Sequence, residues 1–177
     1  MKRLALLRHA KSDWDDMALR DFDRGLNARG RRGAELMARH ITDHGIAWDL
    51  VLASPAERVR CTLAASRLQV PVRFEEALYL ADGSTLMNHV QRVGDSHESV
   101  MVAAHNPGLQ ELALMLVAEE NENLLFAEVM KKFPTCAFAV LELDIDSWAV
   151  IAPGCGRLVH FARPRDLDPE LGPVSIG

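Results

Sequence analysis

Four residues suited to phosphate chemistry follow short apolar runs of the chain. The run 4–7 leads directly into Arg8 and His9, the run 99–104 leads into His105, and Arg58 lies about one helical turn beyond a third run. Arginine presents a planar fork of donors that matches phosphate oxygens. A neutral imidazole can attack phosphorus without like-charge repulsion and then carry the phosphoryl group. These residue types predict a phosphoryl-group site.

Apolar runs alternate with segments of helical periodicity along most of the chain. The predicted strands are 4–7, 49–54, 70–74, 99–104, 137–143, 148–151 and 158–161. The predicted helices are one from the N-cap Asn27 to Gly45, one over 55–68, one capped by Ser84, one starting at Asn106, and a short acidic one over 119–132. Such alternation predicts an α/β fold with three layers, α/β/α, and a mostly parallel central sheet with an antiparallel edge.

The predicted sheet brings the phosphate-type residues together. In open α/β sheets, ligands bind at the carboxyl ends of the parallel strands. Arg8 and His9 follow the first strand, Ser54 and Arg58 follow the second, and His105 follows the fourth. The helices that begin after Ser54 and Asn106 add backbone N–H groups and a favourable dipole. Three strand ends therefore converge on one rim with groups suited to one anion.

Length, charge and cysteine content limit the class of protein. A chain of 177 residues with 49% hydrophobic residues can bury one core, so we expect one domain over 1–162 and a C-terminal surface tail over 163–177. The net charge of −5 disfavours nucleic-acid and anionic-membrane binding. Three cysteines without a CxxC pair favour a reducing compartment, and the apolar run 4–7 is too short for a signal peptide. We expect a cytoplasmic monomer.

Four motifs in order resemble the histidine phosphatase (phosphoglycerate mutase-like) superfamily. The segment 7–10 (LRHA) resembles its Arg-His-Gly signature, and 24–30 (RGLNARG) resembles its helix entry. The segment 54–62 (SPAERVRCT) resembles its arginine block, and 102–109 (VAAHNPGL) resembles its second histidine motif. The resemblance runs from about residue 3 to residue 165, so it covers nearly the whole chain.

Four further segments resemble the compact SixA-type phosphohistidine phosphatases within that superfamily. They are 8–12 (RHAKS), 75–79, 132–135 (KFPT) and 163–167 (RPRDL). Larger members insert a helical cap between the arginine block and the second histidine. Here only residues 59–104 separate Arg58 from His105, which leaves no room for a large cap. The resemblance therefore implies an open site suited to a protein-borne phosphoryl group.

The resemblance also assigns roles to individual residues. It implies that His9 is the nucleophile and becomes phosphorylated, while Arg8, Arg58 and a cationic His105 hold the phosphoryl oxygens. Lys11 and Ser12 are further candidates for phosphate contacts. It implies no metal and no cofactor, because the arginine and histidine side chains supply the positive charge. Ala10 stands where the superfamily signature has glycine.

The general acid and the substrate stay open at the level of sequence. Members that act on alcohols use a carboxylate to protonate the leaving oxygen, and Glu75, Glu76 and Asp13 are the candidates. The expected partner is a phosphohistidine-bearing signalling or phosphotransfer protein. The alternatives are a phosphatase of small phosphorylated metabolites that uses the same site, and a non-catalytic module that binds phosphate or phosphoproteins.

One further histidine pair has the spacing of a metal site. His40 and His44 lie four residues apart on one face of a predicted helix, the spacing of a zinc-binding pair. No glutamate follows the first histidine and no third ligand is evident, so metal binding is not expected there.

Overall fold

The computed structural model describes residues 1–173, which form a six-stranded sheet flanked by helices. The strands are β1 (Lys2–Arg8), β2 (Leu50–Ala53), β3 (Val72–Phe74), β4 (Ser99–Ala104), β5 (Phe138–Leu143) and β6 (Gly156–Ala162). The helices are α1 (Ala28–Asp43), α2 (Glu57–Ser66), α3 (Gly83–Val90), α4 (Gly108–Met115), α5 (Leu124–Lys131) and α6 (Pro164–Leu167). Short 3-10 turns connect several of these elements.

The sheet is mostly parallel, as the alternation of strands and helices predicted. Its strand order is β3-β2-β4-β1-β5-β6. The pairs β3–β2, β2–β4 and β4–β1 are parallel, whereas β5 is antiparallel to both of its neighbours. The carboxyl ends of β1, β2 and β4 are therefore adjacent at one edge of the sheet.

Helices cover both faces of the sheet, and each face has its own apolar core. On one face, Met37 and Ile41 of α1 and Val59 of α2 pack against alternate sheet residues such as Leu7 and Val51. On the other face, side chains of α3, α4 and α5 pack against the remaining sheet residues, represented by Leu86, Leu109, Val129, Leu6 and Val102. Burial of both faces explains why β1 and β4 are continuous apolar runs. The three-layer α/β/α prediction is confirmed.

No cap domain interrupts this arrangement. Between α2 and β4 the described chain forms only β3, a 3-10 turn over Glu76–Leu78 and α3. Helix α3 packs against α4 as part of a layer of the fold. None of the helices between residues 1 and 173 combines the length and apolarity that crossing a bilayer requires.

The start of α1 brings the loop after β1 close to the helix. The side chain of Asn27 accepts a hydrogen bond from the Gly30 amide at 2.7 Å, which confirms the predicted N-cap. A Cβ on Gly30 would collide with the carbonyl oxygen of Lys11, so glycine permits this approach. That carbonyl also accepts from the Asn27 amide at 3.1 Å. The contact holds the loop that follows Arg8 in place.

Three predicted elements differ in the structure. The cap of α3 is Asp82 and not Ser84, because the Asp82 carboxylate accepts from the Thr85 amide and its charge suits a helix N-terminus. The acidic segment 119–132 is a 3-10 turn followed by α5, whose cap is Asn123. The predicted strand 148–151 is wrong: Trp148–Val150 forms a 3-10 turn, anchored where Asp95 accepts from the Trp148 amide.

The C-terminal segment packs against α1 through short helical turns. Helix α6 and the 3-10 turn Pro169–Leu171 contain most of the described part of the predicted tail. Arg32 of α1 forms ion pairs with Asp168 and Glu170. Residues 174–177 of that predicted tail lie outside the described residues. The predicted boundary between residues 162 and 163 stays a prediction.

Candidate active site

A cavity of about 310 Å³ opens at the carboxyl ends of β1, β2 and β4. Arg8, His9, Arg58 and His105 all line it, as do the predicted phosphate-contact candidates Lys11 and Ser12. Its other lining residues are Trp14, Asp21, Leu80, Asn106 and Thr135. The structure therefore brings together the residues that follow three separate strands. The edge of the sheet is where open α/β folds place their ligands.

A hydrogen bond to the backbone holds one ring nitrogen of His9 and leaves the other ring nitrogen unbound. Its Nδ1 lies 2.8 Å from the carbonyl oxygen of Ala10, which can only accept, so Nδ1 carries the proton and Nε2 carries the lone pair. The Ala10 amide in turn donates to Thr62 Oγ1 at 2.9 Å. Nε2 makes no hydrogen bond within residues 1–173. Nε2 therefore has a free lone pair that can act as a nucleophile.

The electrostatic surroundings keep His9 neutral. Burial, together with the positive charges of Arg58 and Arg8, lowers the pKa of His9 to about 4 against the opposing effect of the hydrogen bond to Ala10. The side chain is only 7% exposed. At neutral pH the imidazole therefore retains the lone pair that nucleophilic attack requires.

His105 is neutral in this arrangement, which corrects the expected cationic form. Its Nδ1 lies 3.3 Å from Nη2 of Arg58, and a guanidinium can only donate, so Nδ1 accepts and Nε2 carries the proton. Nε2 lies 2.7 Å from Ser54 Oγ. Burial lowers the pKa of His105 to about 3, and the neighbouring His9 and Arg58 reinforce the effect. Its ring centroid lies 5.2 Å from that of His9.

Arg58 is positioned by a carboxylate that sequence reasoning missed. Its Nη1 donates to the Asp21 carbonyl at 2.7 Å, and its Nη2 donates to Asp21 Oδ2 at 3.0 Å. The Tyr79 hydroxyl donates to the same carboxylate oxygen. Burial alone would raise the pKa of Asp21, but the hydrogen bonds from Tyr79 and Arg58 outweigh it and hold the pKa below its ordinary value. Asp21 is therefore ionised at neutral pH.

Arg8 retains an unused donor beside the cavity. Its Nη1 donates to the Phe133 carbonyl at 3.0 Å, while its buried Nε has no hydrogen-bond partner among residues 1–173. Burial lowers the pKa of Arg8, as does the positive charge of Arg58. Two guanidinium groups that repel each other across a cavity, one with an unsatisfied donor, favour an anion between them.

Lys11 and Ser12 lie at the mouth of the cavity. Ser12 Oγ accepts a hydrogen bond from Trp14 Nε1 at 3.0 Å. Lys11 is exposed, and its ammonium group forms no ion pair within the described chain. Both residues line the cavity, so both are placed where a phosphate contact is possible, and their role in binding stays a prediction.

The three predicted acid candidates lie outside the lining of the cavity. Glu75 forms ion pairs with His89 and with Arg73, the latter at 2.7 Å. Neither Glu76 nor Asp13 lines the cavity, and Asp13 Oδ1 accepts from the Asp15 amide. Among the described residues that line the cavity, Asp21 alone carries a carboxylate. It belongs to a loop with several aspartates and no periodicity, so no sequence signal distinguished it.

Comparisons with known proteins agree with this geometry. A family model described as the histidine phosphatase superfamily (branch 1) matches residues 4–79. Uncharacterized protein Rv1276c of Mycobacterium tuberculosis is 39% identical over 160 residues, which cover 90% of this chain and 100% of that protein. Uncharacterized protein At3g52155, chloroplastic, of Arabidopsis thaliana is 33% identical over 92% of this chain and 78% of its own length.

Solved structures extend the comparison to the branch within the superfamily. A structure of the "Putative Phosphohistidine Phosphatase SixA" from Nakamurella multipartitia matches with a TM-score of 0.83 at 29% identity, and covers 92% of this chain and 96% of that one. The SixA structure from Agrobacterium tumefaciens, described by the same words, matches with a TM-score of 0.77 at 32% identity, over 92% and 98% of the two chains.

Fold, motifs and relatives define a phosphatase of the α/β class whose candidate site is built from two histidines and two arginines. The chain belongs to the histidine phosphatase superfamily. Within that superfamily it belongs to the SixA-type branch, as its sequence motifs predicted.

Proposed function

We propose that this chain is a protein phosphohistidine phosphatase that transfers the phosphoryl group to His9 and then to water. The observation that carries the proposal is the state of the cavity's carboxylate. Asp21 is engaged by Arg58 and Tyr79 and is ionised, so it holds no proton to give to a leaving group. A site with a ready nucleophile and no ready acid suits a substrate whose leaving group needs none.

The first chemical step uses the free nitrogen of His9. Its Nε2 lone pair attacks phosphorus, the bond between phosphorus and the substrate imidazole breaks, and its electron pair stays on that imidazole. An imidazole ring titrates near pH 6.5, so the other nitrogen of the substrate ring can already carry a proton when the bond to phosphorus breaks. The substrate then leaves as neutral histidine. An alkoxide leaving group would instead require an acid from the protein.

The positive groups around His9 stabilise the transferred phosphoryl group. Charge spreads over three equatorial oxygens in the metaphosphate-like transition state. Arg8 offers its unpartnered Nε, and the protonated Nε2 of His105 faces Ser54 at the same cavity. Arg58 lines the same cavity with its guanidinium held in position by Asp21. Donors fixed in advance of the reaction contribute most to such catalysis.

The second step releases phosphate without help from a metal. Water attacks phosphorus on phospho-His9, the bond between phosphorus and Nε2 breaks, and the imidazole recovers its electron pair. Both protons of the water stay on the product, which leaves as H₂PO₄⁻. The carbonyl oxygen of Ala10 keeps the proton on Nδ1 throughout, so His9 leaves as a neutral ring. Arg8 and Arg58 supply the positive charge that a metal ion supplies in other phosphatases.

The lack of a cap favours a substrate on a protein surface. The described chain between Arg58 and His105 forms no helical cover over the cavity. A phosphohistidine that projects from a folded protein needs such an opening. The SixA proteins that resemble this chain are described as phosphohistidine phosphatases in their names, which supports the same substrate class.

The decisive experiment measures phosphate release from a histidine-phosphorylated phosphotransfer domain and from an aryl phosphate side by side. We expect release from the phosphoprotein to exceed release from the aryl ester by far, and to vanish in His9→Ala. Efficient aryl turnover with an untouched phosphoprotein would replace the proposal with a phosphatase of small metabolites. Release from neither would leave a phosphate-binding module.

A further inference from the structure

A second cavity, of about 300 Å³, adjoins the catalytic one. Lys11 and Thr135 line both cavities, which are therefore adjacent. The second cavity lies between the start of α1, the loop 132–136 and the segment 163–173. These last two segments contain the KFPT and RPRDL motifs. The catalytic site uses only the Phe133 carbonyl, which accepts from Arg8, and the lining residue Thr135 from the first motif. The second cavity itself has no role in the catalytic steps proposed above.

The lining of this second cavity is strongly basic. None of its described lining residues is acidic. Five are basic, namely Lys11, Arg29, Lys132, Arg163 and Arg165. The chain as a whole carries a net charge of −5. The positive charge is thus a local concentration on an acidic protein, which raises the local concentration of anionic groups.

The five basic side chains divide into two kinds. Arg163 forms ion pairs with Glu128 at 2.9 Å and with Asp166 at 3.0 Å. Arg29 donates a hydrogen bond to the Gly172 carbonyl, so both arginines already have partners within the protein. Lys11, Lys132 and Arg165 are exposed and form no ion pair within residues 1–173. Three cations that have no carboxylate partner among residues 1–173 therefore line this cavity.

We propose that this second cavity binds an acidic side chain of the phosphoprotein substrate, on the surface that surrounds its phosphohistidine. The inference rests on the proposed function. A phosphohistidine bound in the open catalytic cavity brings its own protein surface against the adjoining wall. Aspartate and glutamate are the anions that such a surface offers, and they complement the three unpaired cations. The cavity would then select among phosphohistidine proteins by charge.

The test compares a double variant with a matched control. Lys132→Gln with Arg165→Gln removes two of the unpaired cations, whereas Arg92→Gln removes an exposed arginine that lines neither cavity. Lys11 is left in place because it lines the catalytic cavity as well. The substrates are a histidine-phosphorylated phosphotransfer domain with carboxylates around its phosphohistidine, the same domain with those carboxylates changed to amides, and an aryl phosphate.

We expect the double variant to raise KM for the acidic domain by about 3- to 10-fold, with kcat within about twofold of the unaltered enzyme. Turnover of the aryl phosphate and of the neutralised domain stays unchanged, and Arg92→Gln behaves as the unaltered enzyme. Added salt should narrow the difference, because exposed charges are screened. Arg165→Gln alone gives a smaller shift in the same direction, and it replaces the double variant if that protein is unstable.

Each contrary result has a distinct meaning. Equal KM values for the double variant and Arg92→Gln on the acidic domain would overturn the inference and leave the proposed function standing. A loss that persists on the neutralised domain or the aryl phosphate would also overturn it, since the effect would not depend on substrate charge. If the unaltered enzyme releases no phosphate from any phosphohistidine domain, the proposed function fails and the inference fails with it.

Discussion

Histidines with a lowered pKa occur in two separate groups in this molecule, and the two groups have different neighbours. His9 and His105 face each other in the catalytic cavity, whereas His40 and His44, at the end of α1, meet His160 of β6 on another part of the molecule. Burial lowers the pKa of His9 to about 4, and burial with repulsion from His44 and His40 lowers that of His160 to about 4 as well. A lowered histidine pKa therefore does not by itself identify an active site.

The two histidine groups differ in the residues that contact their rings. The Ala10 carbonyl fixes the proton of His9 on Nδ1, and the Arg58 guanidinium fixes that of His105 on Nε2. The positive charge of Arg8 also acts on both rings. In the second group, His40 Nε2 lies 2.8 Å from His160 Nε2, so these two rings bind each other. A neutral imidazole becomes a phosphoryl carrier where fixed cationic donors surround it.

The largest expected effect separates the two histidine groups directly. His9→Ala should lower phosphatase activity by at least about a thousandfold, because the nucleophile that accepts the phosphoryl group is lost. His160→Ala should leave activity within about twofold. Steady-state phosphate release from a phosphohistidine domain measures both variants. A His160→Ala enzyme as inactive as His9→Ala would remove the distinction between the two groups.

A slightly smaller effect should follow from removing the cation beside the catalytic pair. Arg58→Ala takes away a donor to the transferred phosphoryl group, so kcat should fall by about 10²- to 10³-fold. Arg60 lies on the same helix, but its guanidinium stacks on Phe74 and donates to Pro55, outside the cavity lining. Arg60→Ala is therefore the control, and it should retain near-normal kcat. Comparable losses in both variants would contradict the assigned role of Arg58.

Both histidine groups should contribute to acid sensitivity of the fold. A histidine whose pKa is lowered in the folded state binds fewer protons folded than unfolded, so the free energy of unfolding decreases as pH falls from about 6.5 toward the folded-state pKa. For His160 that window extends down to about 4. Urea unfolding at pH values above and within this window should therefore show a smaller pH-dependent decrease for His160→Gln than for the unaltered chain. An equal decrease would show that His160 does not titrate as described.

The smallest expected effect concerns the predicted acids. Glu75→Gln and Glu76→Gln should leave turnover of a phosphohistidine domain within about twofold, because neither carboxylate lines the cavity and the leaving imidazole needs no acid from the protein. The same steady-state assay measures them. A loss of tenfold or more in either variant would show that a carboxylate outside the described lining takes part in the reaction.

Much of the fold and the core of the site were accessible from sequence because they depend on local patterns. The buried runs of β1 and β4, the Asn27 cap and the helix stripe that includes Leu109 and Leu112 all follow from periodicity and capping. Arg8, His9 and His105 follow such runs directly and Arg58 lies in the first turn of α2 after β2, so strand order brings them to one edge of the sheet.

The features of the site that the sequence did not predict depend on contacts between distant parts of the chain. Asp21 reaches Arg58 and Tyr79 from a short 3-10 turn between β1 and α1, and no periodic signal marks its position. The predicted cationic His105 is wrong because its state is set by the donor Arg58, a contact that spacing does not show. The Glu75 prediction placed a carboxylate correctly after a strand, but its ion pairs with Arg73 and His89 lie outside the cavity lining.

In the proposed reaction the phosphoryl group passes through Nε2 of His9. The most direct measurement is a rapid quench into alkali during turnover of a radiolabelled phosphohistidine domain, followed by peptide mapping of the labelled enzyme. We expect an alkali-stable, acid-labile phosphoryl group on His9 that forms and decays at rates compatible with kcat and is absent from His9→Ala. Label on another residue, or full turnover by His9→Ala, would contradict it.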